Sequence, residues 1–190
     1  NHTKPFFLSV MFNAPHWPWQ APGDKPYPDT MNWHTGGSKE KYAAMINSLD
    51  QAVGKMMKAL DGQKLTNQTL VIFTSDNGGE EFSDMGIYSG MKEELLEGGI
   101  KEPAFVRWPG VIAAGSSTRQ VAITMDWTAT ILAAAVTKPD PAFPLDGMNL
   151  LPVLKGGKEV MGRTFFWRLS QEKKQKAIRD GDWKYLQNEK

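Results

Sequence analysis

The spacing of apolar residues divides the chain into segments of different period. Residues 5–12, PFFLSVMF, form a first apolar run of strand length, rich in aromatic and branched side chains, and predict a buried strand. From residue 13 to about 39 no period survives. Pro, Gly, Trp and Asp dominate there and predict a long loop, of a length that in a compact domain accompanies function or disorder. Tyr42, Met45, Ile46, Leu49, Val53, Met56, Met57 and Leu60 then recur mostly at spacings of three and four. They predict one apolar face of a helix, N-capped by Ser38 and ending near Gly62, with the methionine stripe serving as core packing. Residues 69–75, TLVIFTS, are apolar on both faces, as a parallel strand covered by helices requires. Strand, helix and strand in that order predict a right-handed crossover.

Residues 103–108 read as a third strand, closed by Pro109-Gly110. Asp126 is placed to cap a helix over about 127–136, with Ile131 and Leu132 facing inward. Pro139, Pro141 and Pro144 break up the segment that follows, which predicts an irregular surface crossing. After Gly156-Gly157 the pattern shortens to strand-like pieces at 164–168, 177–178 and 183–186. The last two are joined across Arg179-Asp180-Gly181-Asp182, and Asp-Gly between strands signals a hairpin. The expected fold is α/β: part of a mainly parallel sheet flanked by helices over residues 1–157, then the start of a small antiparallel C-terminal subdomain over 158–190.

Composition narrows the function classes. Among 190 residues, 22 Lys and Arg nearly cancel 21 Asp and Glu, so no global field draws the chain to nucleic acid or to an anionic membrane. Any anion site must be local. No apolar run approaches the roughly 18 residues of a spanning helix. Cysteine is absent, which excludes disulfides, thiolate metal sites and a cysteine nucleophile within this chain. The first residues, NHTK, run directly into the apolar segment, so the chain reads as a piece of a longer protein.

Three places offer chemistry. Asp76-Asn77 follows the second strand, at the strand end where ligands of parallel α/β sheets bind, and the loop holding His16 leaves the same end of the first. A carboxylate beside an amide carbonyl supplies hard oxygen ligands suited to calcium or magnesium; Asp, Asn and Gly in DNGG are equally the residues of a simple turn. His16, framed by Trp17-Pro18-Trp19, can exchange a proton near neutral pH or merely pack between tryptophans, whereas His34 lacks such framing and is expected to be solvated. Lys92 follows a glycine-containing loop and either presents an ammonium to an anion or stays in solvent.

Several segments, in order and over nearly the whole length, resemble the C-terminal half of the sulfatase family, within the alkaline phosphatase superfamily. They are NAPHWPWQAP, TLVIFTSDNGG, MKEELLEGGIKEPAFVRWPGVIAAGS, ITMDWTATIL with LDGMNLLPVL, and AIRDGDWKYL. The resemblance implies that Asp76 and Asn77 are ligands of an active-site Ca2+, that His16 contacts the sulfate ester and protonates the leaving oxygen, and that Lys92 binds the sulfate. It implies a formylglycine nucleophile made from a Cys or Ser in a Cys/Ser-x-Pro-x-Arg motif, which this chain lacks, so that the chain alone is expected to be inactive. It further implies a sulfated small molecule or glycan as substrate, a periplasmic or secreted setting, and sheet edges open to self-association. A phosphodiesterase or phosphonate hydrolase of the same superfamily and a non-catalytic carbohydrate-binding module using the tryptophan-rich loop are the alternatives. Relatives of the first kind carry Asp-His where this chain has Asp76-Asn77.

Overall fold

The structure, a computed structural model, describes residues 4–28, 32, 34–170 and 174–188. It divides into two compact units, residues 1–63 and 64–190.

The first unit is built on helix α1, Lys39–Gly62. Its start follows from Ser38, whose extended backbone places the side-chain oxygen to accept from the Lys41 amide at 3.2 Å. Met45, from the apolar stripe, is buried, as is Trp19 from the long loop, whose ring meets Tyr42 edge-on at 6.1 Å. An ion pair between Asp24 and Lys41, 2.9 Å apart, ties the loop to the helix. Residues 5–12 do not form the expected strand. Among the described residues they join no ladder, and Phe7 and Met11 are 74% and 85% exposed. An apolar run of the right length is a strand only when neighbours take up its N–H and C=O groups.

In the second unit, strands β1 (Val71–Thr74) and β2 (Ala104–Arg107) pair with each other. The pairing is antiparallel, Val71 opposite Arg107 and Thr74 opposite Ala104, which corrects the expected parallel sheet for the described residues. The segment between them carries only the four-residue helix α2, Glu97–Ile100, and brings the chain back in the opposite direction. Phe73 and Phe105 face each other across the pair at 6.3 Å, a cross-strand aromatic contact that helps fix register.

Helix α3, Met125–Ala134, begins earlier than expected, and Asp126 lies within its first turn instead of capping it. The Asp126 carboxylate is fully buried. It accepts from the Ile123 and Met148 amides at 2.9 and 2.8 Å and from Arg163 through two guanidinium nitrogens, each at 2.8 Å. Thr130, also buried, donates to the Asp126 carbonyl and accepts from the Leu150 amide. The segment around Gly147 therefore packs on α3 and leads into helix α4, Leu151–Leu154. A Cβ on Gly147 would lie 2.2 Å from the Met125 carbonyl oxygen, so only glycine permits the approach.

Strands β3 (Thr164–Leu169), β4 (Gln175–Asp180) and β5 (Trp183–Asn188) form an antiparallel meander, the expected C-terminal sheet with longer strands. The β4–β5 turn is Gly181-Asp182, with Asp180 opposite Trp183 and Gly181 at φ 56°, a conformation that tight hairpins require. Alternation follows the pleat. Phe165, Gln175 and Ala177 are buried on one face, whereas Phe166, Tyr185 and Trp183 are exposed on the other. No helix among the described residues is long and apolar enough to cross a membrane.

Candidate functional site

Asp76 and Asn77 lie where β1 ends, as expected, and the loop they open is held by backbone contacts with two other segments. The Gly78 amide donates to the Gly99 carbonyl at 2.9 Å, the Gly98 amide to Ser89 at 2.8 Å, and the Lys92 amide to Gly79 at 2.7 Å. Two loops, 76–79 and 89–92, and the start of α2 at 97–99 thus meet main chain to main chain. The glycines make this possible. A Cβ on Gly78 would stand 2.0 Å from the Gly98 oxygen, one on Gly98 2.1 Å from the Gly90 oxygen, and one on Gly99 2.2 Å from the Glu94 oxygen. Gly78 and Gly79 are thus not there to supply a left-handed turn, since neither has positive φ; neighbouring backbone leaves no room for a side chain on Gly78, and the side chains of Ser83 and Met85 crowd Gly79.

This arrangement brings Asp76, Asn77 and Lys92 into one loop cluster. Asp76 is exposed; Asn77 is partly buried and donates through Nδ2 to the Gly78 carbonyl, which leaves its amide oxygen as the acceptor. Lys92 is partly buried and pairs with Glu80, Nζ to Oε2 at 3.3 Å. Glu102, two residues before β2, adds a further carboxyl whose charge is felt with that of Asp76. Burial raises its pKa, hydrogen bonding to its own backbone amide opposes this, and the Asp76 charge raises it again, leaving it above the ordinary glutamate value.

His16 belongs to the first unit. Its amide donates to the Asn13 carbonyl at 2.9 Å, and its Nδ1 lies 2.6 Å from the Trp17 carbonyl oxygen. The ring is exposed and tilts against Trp17, which also meets His34 at 4.0 Å between ring centres. His34 is exposed as expected but framed by the same tryptophan. Nothing in its local sequence signals that contact.

As to a metal, the oxygens of Asp76 and Asn77 suit a hard cation in kind. They are too few to enclose one. Among the described residues no group of three or more His, Cys, Asp or Glu side chains is arranged to hold a metal ion.

Sequence reasoning missed Glu80 as the partner of Lys92 and Glu102 as the neighbour of Asp76. Each pairs residues 12 or more positions apart, the first by direct contact and the second by electrostatic influence, and no periodicity encodes either.

Comparison with known proteins places the chain in a family. The family described as Sulfatase matches residues 1–137. N-acetylgalactosamine-6-sulfatase of Homo sapiens is 33% identical over 170 residues, covering 86% of this chain and 31% of that protein. Arylsulfatase A of Homo sapiens is 36% identical over 170 residues, covering 86% and 32%. The crystal structure of Ps i-CgsB in complex with k-i-k-neocarrahexaose superposes with a TM-score of 0.84 at 30% identity, covering 98% of this chain and 42% of that one. The chain therefore spans about a third of the length of the curated relatives it matches.

Proposed function

The chain belongs to the sulfatase family, and on that premise we propose that it supplies the metal-ligand and anion-binding residues of a site that hydrolyses a sulfate ester to an alcohol and sulfate. The observation that carries the reading is the backbone cluster joining the Asp76-Asn77 loop to the Lys92 loop through Gly78, Gly98 and Gly99. It supports a metal-ligand pair and a cation held in one rigid frame. Rigid placement of charge is what stabilising a transferring anionic group requires.

In this reading Lys92 binds the sulfate oxygens, and the substrate competes with Glu80 for the ammonium. Asp76 and Asn77 would hold the Ca2+ with further ligands from outside this chain; such an ion supplies positive charge to the oxygens of the transferring group. His16 binds the ester and gives a proton to the leaving oxygen as the sulfur–oxygen bond breaks. The nucleophile, a formylglycine in this reading, is not encoded here: there is no cysteine, and no serine begins Ser-x-Pro-x-Arg. The names of the relatives support a sulfated sugar as the substrate class, since one acts on N-acetylgalactosamine 6-sulfate by its name and another was crystallised with a neocarrahexaose. No observation favours the phosphodiesterase or the carbohydrate-binding module.

The test combines the chain with the nucleophile-bearing N-terminal part of a sulfatase and assays sulfate release. Asp76→Ala should cost activity that excess calcium restores only in part. His16→Ala should slow sugar sulfates by about a hundredfold and activated aryl sulfates far less, because a good leaving group needs little protonation. Equal losses on both substrates would assign His16 to binding alone, and unchanged calcium dependence in Asp76→Ala would remove that residue from the metal site.

A further inference from the structure

Glu97 stands immediately before the two glycines that join the loop cluster, yet its carboxylate points away from the cluster to the C-terminal sheet. Oε1 lies 2.9 Å from Lys184 Nζ and Oε2 3.4 Å from Arg179 Nη1. Arg179 and Lys184 are directly opposite each other on β4 and β5. Like charges in that position repel, so the sheet is left with two adjacent cations that need a counter-ion, and Glu97 is that counter-ion. The three side chains are between 17% and 30% exposed, which screens them less than fully solvated ions. A second tie lies nearby. Buried Gln175, the first residue of β4, accepts from the Leu95 amide at 2.7 Å and is itself oriented by donating to Asn188 at 2.8 Å.

These contacts converge on the residues between Lys92 and Gly99. Leu95 and Glu97 are fixed from the sheet side, and Gly98 and Gly99 fix the 76–79 and 89–92 loops from the other. We infer that Glu97 is a positioning residue: through Arg179 and Lys184 the antiparallel C-terminal sheet sets the placement of the Lys92 and Asp76-Asn77 loops. The function of the subdomain follows. It acts as a brace for the anion site. The inference rests on the proposed function only for the meaning of the site; the brace itself is a property of this chain.

The experiment is a double-mutant cycle on Glu97→Gln and Lys184→Met, read by amide hydrogen exchange of the chain. Each single variant should speed exchange at Lys92, Leu95 and Gly98 by about tenfold, the scale of one hydrogen bond to a charged group. The double variant should be no faster than either single, and amides within α3 should be unchanged. Unaltered loop amides, additive effects, or equal acceleration in α3 would overturn the inference. With the N-terminal part supplied, Glu97→Gln should lower kcat/KM, Glu97→Asp should recover most of the loss, and melting should not track the change. Loop exchange that responds as expected in an assembly releasing no sulfate from any ester would keep the brace and remove the sulfatase reading. Sulfate release indifferent to Glu97, with loop exchange unaltered, would do the reverse.

Discussion

Lys92 illustrates what a single residue contributes and what surrounds it. Its ammonium meets Glu80 at 3.3 Å with both side chains partly in solvent, at 20% and 30% exposure. An ion pair so placed contributes about 0–1 kcal/mol, weak enough for a sulfate group to displace the carboxylate. In the proposed reading, Glu80 then acts as a competitor to the anion. Glu80→Gln should therefore tighten binding of inorganic sulfate or a sulfate ester about two- to fivefold, whereas Lys92→Ala should weaken it, both read by titration with the N-terminal part supplied. Weaker binding in Glu80→Gln would mean that the carboxylate orients Lys92 and does not compete. At this scale the sequence is legible in part. Asp76 and Asn77 could be placed at a strand end from the apolar run before them, but the Glu80–Lys92 pair depends on the path of the intervening loop.

Elements whose information is local were read closely. The three- and four-residue spacing and Ser38 predicted α1 nearly to its ends, and the Asp-Gly signal placed the hairpin between β4 and β5. What failed was pairing: residues 5–12 carry the composition of a strand but have no ladder, and β1 meets β2 antiparallel, because partners are chosen by distant segments. Asp126 shows the same limit at a helix start. Sequence suggests a cap; the structure makes it the buried anchor of α3, the 147–150 segment and Arg163 together. Burial pushes its carboxyl up, and the Arg163 guanidinium with the Ile123 and Met148 amides outweighs that, holding it below the usual aspartate value. The sign follows. A carboxyl whose folded value is depressed contributes fully above its unfolded value and loses that contribution as pH falls through the folded one. Asp126→Asn, which leaves Arg163 without its counter-charge, should destabilise the fold by about 3 kcal/mol in urea unfolding at neutral pH. It should also flatten the loss of stability on acidification. A variant with unchanged acid sensitivity would show that other carboxyls set that limb.

For the molecule as a whole, the decisive quantity is what the chain contains against what the chemistry needs. It carries the lysine, the Asp76-Asn77 pair and the histidine proposed for the site, and it spans about a third of the length of its curated relatives. No residue in it fits the expected nucleophile. Positioned charge alone retains only a small part of an enzyme's rate, because residues that act as a unit fail together when the one forming the covalent bond is missing. The isolated chain should accordingly release no sulfate above background from an activated aryl ester. Its apolar segment at 6–12 is largely exposed, with Phe6, Phe7, Leu8 and Met11 all more than half so, and the outer face of the C-terminal sheet adds Phe166, Tyr185 and Trp183. Surfaces of that kind favour association. Sedimentation of the isolated chain should show self-association that weakens when charged residues replace Phe7 and Met11. Supplying the N-terminal part together with the formylglycine-generating machinery should restore turnover and cover the 6–12 segment, lowering its exchange and its tendency to associate. Turnover by the isolated chain would place a nucleophile among its own residues, and a monomer indifferent to those substitutions would mean that the 6–12 segment needs no partner.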